Sequence, residues 1–157
     1  MPFTPAEEQT IRKTIEEIRV RSVIDRYFHC VDSLSWDLLA AIFTEDATFE
    51  FNFSTTEKKV LKGGQVIADY FQERNRIFRT KTHYVGHAEI SIVDATAKAD
   101  VYAISNVVIE DKIAIRGLRY ADELVKGSDG NWRFKSRLHR GLWQHYATFV
   151  APEVPKT

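Results

Sequence analysis

Cysteine is nearly absent from this chain. Cys30 is the only one in 157 residues, so neither an internal disulfide nor a cysteine-based zinc site can form. Net charge is missing too: 22 Lys and Arg balance 22 Asp and Glu. That balance argues against a dedicated nucleic-acid binder, whose affinity would rest on a basic surface. No apolar run approaches the roughly 20 residues needed to span a bilayer. The opening Met-Pro-Phe-Thr-Pro-Ala-Glu-Glu has neither the basic nor the apolar region of a secretory signal, and a cytoplasmic location is the default expectation. Proline is confined to Pro2, Pro5, Pro152 and Pro155, which leaves residues 6–151 free of the strongest interrupter of helices and strands. There is no Gly-x-Gly-x-x-Gly, no Walker loop, no Gly-x-Ser-x-Gly elbow and no His-Glu-x-x-His.

What is present is the composition of an ordinary globular domain, 44% hydrophobic and 28% charged. Without repeats or linkers, residues 1–157 read as one domain with short arms at about 1–4 and 148–157. Thr4, Pro5 and Glu7 announce a helix with a capping box. Its apolar residues then change face. Ile11, Ile15 and Ile18 form one stripe, and Val20, Val23, Ile24, Tyr27, Phe28 and Val31 form another on nearly the opposite side. Either the helix bends near residues 18–21, or its first half packs on something else, such as a partner subunit.

Ser35 caps an expected short helix over residues 36–43. Residues 47–53 alternate as a strand, Gly63-Gly64 precede a third helix over about 65–76, and residues 82–93, 96–109, 113–125 and 131–145 read as strands joined by short turns. Helices first and a long-stranded antiparallel sheet afterwards make the fold class α+β. Strands of this length imply a strongly twisted sheet curled around the helices.

Three segments could carry chemistry. Asp32 and Trp36 fall where an apolar helix ends and the next begins; on spacing alone they read as a turn acid and a core plug. His83 and His87 open a strand in Thr82-His83-Tyr84-Val85-Gly86-His87, where a histidine is ordinarily exposed or hydrogen-bonded. Tyr120 sits in Gly117-Leu118-Arg119-Tyr120-Ala121-Asp122, which simple strand alternation would also explain. His139 and His145 share a strand face but lack a nearby third ligand, so no metal site is expected.

These segments together carry a resemblance. Asp32 with Trp36-Asp37-x-Leu39, Phe43-Thr44-Glu45-Asp46-Ala47-Thr48-Phe49, Thr82-His83-Tyr84-Val85-Gly86-His87, Gly117-x-x-Tyr120-x-Asp122 and Asp129-Gly130-x-Trp132-Arg133-Phe134 look like the SnoaL-like branch of the NTF2-like superfamily. Within it the motifs are most similar to scytalone dehydratase, bile acid 7α-dehydratase and hexachlorocyclohexane dehydrochlorinase. The resemblance covers about residues 15–146. It implies a cystatin-like cone: three helices held in a curved, mainly antiparallel sheet around a deep apolar pocket, often dimerising through the outer sheet face.

It also implies roles. His83 would be the base, Asp32 its orienter and Tyr27 a catalytic neighbour. Tyr102, Tyr120, Phe49, Phe51, Phe53, His87, Asn106 and Arg140 would contact substrate. Ser105 stands where the bile acid enzyme has an acid, and Arg140 is only an approximate counterpart of its basic residue.

The chemistry such residues perform can be argued from the side chains themselves. A histidine whose ring is held by a carboxylate exchanges protons near neutrality, and a tyrosine hydroxyl can steady a developing enolate. Proton abstraction beside a carbonyl followed by elimination needs no cofactor. The expected function is therefore a cofactor-independent lyase or isomerase, dehydratase-like, of a small cyclic apolar substrate. The alternative is a non-catalytic binding or assembly module, such as the small subunits of ring-hydroxylating dioxygenases. A homodimer is expected, with no nucleic-acid or membrane partner.

Two geometric questions remain open at this level. Tyr27 and Asp32 are about 140° apart on a regular helix, so both can face one pocket only if the last turn loosens. On the strand after His83, strict alternation would turn Glu89 inward and Ile90 and Ile92 outward. A β-bulge at residues 86–88 would reverse that parity; otherwise Ile90 and Ile92 belong to an interface.

Overall fold

The computed structural model describes residues 2–52 and 58–150. The order is α1 (Pro5–Ser33), α2 (Trp36–Ala41), β1 (Phe43–Asn52), β2 (Lys59–Lys62), α3 (Gly64–Asn75), β3 (Thr80–Val93), β4 (Thr96–Ile109), β5 (Lys112–Lys126) and β6 (Trp132–Thr148). One six-stranded sheet has the order β2-β1-β6-β5-β4-β3. Every pairing is antiparallel except β1 with β6, which is parallel. The mainly antiparallel α+β expectation holds, and the short edge strand β2 is an addition to it.

α1 starts as its sequence dictates. The Thr4 side chain accepts from the Glu7 N–H, and the Glu7 carboxylate accepts from the Thr4 N–H. The helix then runs without a break to Ser33. Only its second half enters the core, through Val20, Ile24, Tyr27, Phe28 and Val31, while Ile11, Ile15 and Ile18 stay exposed. The first half is tied down by one polar side chain: Glu16 accepts from Lys126 Nζ at 2.9 Å and from Trp132 Nε1 at 2.7 Å. α1 ends at Leu34, which takes the left-handed conformation (φ 60°). Ser35 holds the N-cap position of α2 but makes no capping bond. Its hydroxyl meets that of Ser33 instead, at 2.9 Å.

The concave side of the sheet encloses these helices. Leu39, Phe49, Ile67, Val101, Leu124 and Phe134 are fully buried there. The bulge on β3 exists. Val85 pairs with Ala103 and Ala88 with Val101, one extra residue on β3. Ile90 and Ile92 therefore pack against the core, and Glu89 is exposed. Two further register shifts, at Gly117/Leu118 and Glu123/Leu124 between β5 and β6, add bends to the sheet. Among the described residues no helix is long and apolar enough to cross a membrane.

Candidate active site

α1 and β3 meet at Asp32 and His83. Asp32 Oδ1 lies 2.6 Å from His83 Nδ1, and Asp32 Oδ2 accepts the His83 backbone N–H at 2.7 Å. One carboxylate thus fixes both the ring and the strand that carries it. Because an ionised carboxylate only accepts, it holds the ring proton on Nδ1 and leaves Nε2 as the nitrogen open to a bound molecule. The two side chains are 25% and 11% exposed, respectively.

The angular problem on α1 is solved without any loosening. Tyr27 lines the cavity, whereas Asp32 is absent from the lining and approaches the imidazole from beside it. The helix stays regular because only one of the two has to face inward.

The cavity holds about 300 Å³. Inward-facing residues stack in rows set by the sheet register. His83 on β3 pairs with Ser105 on β4, and Ser105 with Arg116 on β5. One row over, Lys81 pairs with Val107. At the other end Tyr120 pairs with His139, and His139 with Phe51. Val31, Phe71, Phe78 and Leu118 complete the apolar walls, with Tyr70, Lys59 and Arg74 alongside.

Burial sets the electrostatics of this space. It drives the Tyr27 and Tyr120 hydroxyls well above the ordinary phenol range, so both stay protonated. Burial pushes His139 down to about 3, helped by repulsion from Arg137, so its imidazole is neutral. Burial likewise lowers Lys81 to about 8, partly countered by attraction from Asp32.

Arg137 lies against the tyrosines, its guanidinium carbon 3.9 Å from the Tyr27 ring centre and 4.3 Å from that of Tyr120. Its Nε is 3.1 Å from Asp122 Oδ1, an ion pair with both side chains fully buried. The contact is close but not aligned as a hydrogen bond. Burial raises the Asp122 carboxyl against the pull of Arg137.

Of the residues implied by resemblance, His83, Tyr27, Tyr120 and Phe51 line the cavity. Phe49 is fully buried one layer behind, 4.5 Å ring to ring from Phe51. Phe53 lies outside the described residues. Four placements need correcting. Tyr102 falls between the inward-facing Val101 and Ala103, so alternation sends it to the outer face, where it stacks on His87 at 4.9 Å. His87 itself is exposed within the bulge. Asn106 alternates outward between Ser105 and Val107, and Arg140 is exposed beside Arg119.

Sequence reasoning overlooked Lys81 and Arg116, although parity could have found both. Lys81 is two residues from His83, and Arg116 shares the phase of Leu118 and Tyr120. Among the described residues, no three His, Cys, Asp or Glu gather to hold a metal ion.

Comparison with known proteins agrees with this architecture. The SnoaL-like domain family matches residues 13–138. No curated protein matches the sequence. The structure is similar to LinA-type3, a hexachlorocyclohexane dehydrochlorinase from Novosphingobium barchaimii (16% identity, 91% of this chain and 99% of that one, TM-score 0.79). It is similar to a Novosphingobium aromaticivorans protein provisionally named a scytalone dehydratase (21% identity, 94% and 99%, TM-score 0.75). It also resembles an NTF2-like protein with a cystatin-like fold from the same organism (19% identity, 90% and 92%, TM-score 0.76). At these identities the likeness establishes the fold.

Proposed function

Since this chain belongs to the SnoaL-like family, we propose that it is a cofactor-independent lyase or isomerase that removes a proton beside a carbonyl of a small cyclic substrate. The observation carrying this reading is the doubly held His83, its ring on the wall of an apolar cavity. In this scheme His83 Nε2 takes the proton from carbon. The electron pair moves onto the carbonyl oxygen, and the Tyr27 or Tyr120 hydroxyl donates to the enolate that forms. Elimination follows when the enolate re-forms the carbonyl and expels a β-hydroxyl, which leaves as water with the proton returned by His83. Isomerisation follows when the proton returns to a different carbon. Asp32 stabilises the imidazolium between the two transfers.

A protein with only an assembly role would have no need of a base held from two sides. The test is a panel of cyclic β-hydroxy ketones, read by the absorbance of the conjugated enone. Turnover that disappears in His83→Ala supports the proposal. Turnover that survives this substitution removes His83 from the chemistry.

A further inference from the structure

The cavity is apolar in its walls but one-sided in its charge. Lys59, Arg74, Lys81 and Arg116 line it, and no carboxylate does among the described residues. Nor does any described carboxylate come within ion-pair distance of these four. Elsewhere on the same sheet several cations are matched: Arg137 with Asp122, Arg119 with Asp100, Lys126 with Glu16 and Arg133 with Asp129. In a chain with equal numbers of acids and bases, gathering four unmatched cations at one cavity concentrates a positive potential there.

Two of the four are built into the site rather than resting on its surface. Lys81 is 9% exposed. Its ammonium is held by neutral partners, the Asn75 side-chain oxygen and the face of Trp36 at 5.1 Å. Arg116 is half-buried, and its Nε donates to Gln144 Oε1 at 2.6 Å. That bond orients the guanidinium through one edge and leaves its terminal nitrogens, the pair that binds a carboxylate bidentately, for another partner. A buried cation whose direct partners are neutral, with the Asp32 carboxylate attracting it only from beyond ion-pair distance, costs free energy that a bound anion returns.

We propose that the substrate carries an anionic group, a carboxylate, on its apolar ring, and that Arg116 and Lys81 receive it. This rests on the reading of the cavity as a substrate site and narrows the substrate from an apolar cyclic molecule to an apolar cyclic acid. Register sets the dimension. Arg116 is two strands from His83 through Ser105, about 10 Å at the usual strand spacing. One ring system spans that gap, which places the reacting carbon at the base and the carboxylate at the opposite side. The positive potential also draws an acid in from solvent.

The test uses 2-naphthoate and 2-naphthamide, two probes of nearly one shape that differ in charge, titrated calorimetrically in low-salt buffer. The unaltered protein is expected to bind naphthoate at least about tenfold more tightly, the discrimination that charge-assisted hydrogen bonds supply. Arg116→Gln and Lys81→Met should each shrink the preference, and the double variant should reduce it to about twofold or less. Raised salt should shrink it in the unaltered protein too, a readout that requires no variant to fold.

Equal affinities in the unaltered protein, no naphthoate binding, or a preference that survives in the folded double variant would each overturn the proposal. His83→Ala should lose turnover and keep the preference. A preference for naphthoate without any His83-dependent chemistry would count against the lyase reading alone. His83-dependent chemistry with equal binding would count against the anion alone.

Discussion

Asp32 grips His83 at two points, with one carboxylate oxygen on the ring nitrogen Nδ1 and the other on the backbone N–H of the same residue. The arrangement joins the end of α1 to the start of β3 and sets the tautomer of the ring in a single contact. It asks for two acceptors on one side chain. Asparagine offers one acceptor and one donor, so Asp32→Asn either leaves one of the two N–H groups without a partner or turns the ring to the tautomer that carries its proton on Nε2, where it cannot act as the base. We expect a loss of turnover of about 10²- to 10⁴-fold, the range of general acid–base contributions, with the fold retained. Measuring kcat for Asp32→Asn and Asp32→Glu in a series checks this. Full activity in the asparagine variant would show that the grip is structural.

The Arg137–Asp122 pair is a matter of stability. Both side chains are fully buried, and three of the rings around Arg137 belong to Tyr27, Tyr120 and Phe134. Removing one partner strands the other, so Asp122→Leu should cost about 3–5 kcal/mol, and Asp122→Leu with Arg137→Met together should cost less than Asp122→Leu alone. Denaturant unfolding of the single and double variants measures the difference. A double variant worse than the single would mean that the guanidinium matters for its packing against the tyrosines.

His139 predicts an acid-sensitive fold. Its pKa is pushed down to about 3 by burial, against about 6.5 in an unfolded chain. The unfolded state therefore binds more protons between these values, and stability is lost as pH falls through that window. From pH 6.5 to 5 the loss grows by about 1.6 kcal/mol. His139→Leu removes it, so the stability difference between the original protein and this variant should change by that amount over the interval. A pH-independent difference would place a charged His139 in the fold.

The outer sheet face carries an apolar row across four strands. Tyr84 pairs with Ile104, Ile104 with Gly117 and Gly117 with Trp143. The indole of Trp143 lies over Gly117, where a Cβ would come within 2.2 Å of it. Tyr84, Ile104 and Trp143 are 66%, 42% and 52% exposed. We propose that this row pairs two copies of the chain, since an apolar sheet face of this kind commonly marks an association surface. Light scattering after size-exclusion chromatography should give a dimer, and Ile104→Glu a monomer. A monomer at micromolar concentration before any substitution would refute it.

The sequence made the phases of the elements legible and their faces only partly so. Thr4 and Glu7 specified the start of α1, and Gly86 marked the bulge that returns Ile90 and Ile92 to the core. Motif likeness located Asp32 and His83 because both occupy fixed points, a helix end and a strand start. It misplaced Tyr102 because a motif supplies a position, whereas the neighbouring small residues and the ladder decide which side faces inward. Arg116 was hidden for a related reason. A cation on a strand reads as solvent-facing until the register puts it in line with His83. The ion pair of Arg137 and Asp122 had no local signal, since its partners come from neighbouring strands whose shifts could not be read in advance.

Hydrogen exchange tests whether His83 removes a proton from carbon without any need for a leaving group. The unaltered protein should accelerate solvent deuterium incorporation at the positions beside the carbonyl of 2-tetralone, followed by NMR in D₂O, and His83→Ala should fall back to the buffer rate while remaining folded. Equal exchange rates for the two proteins would contradict the account.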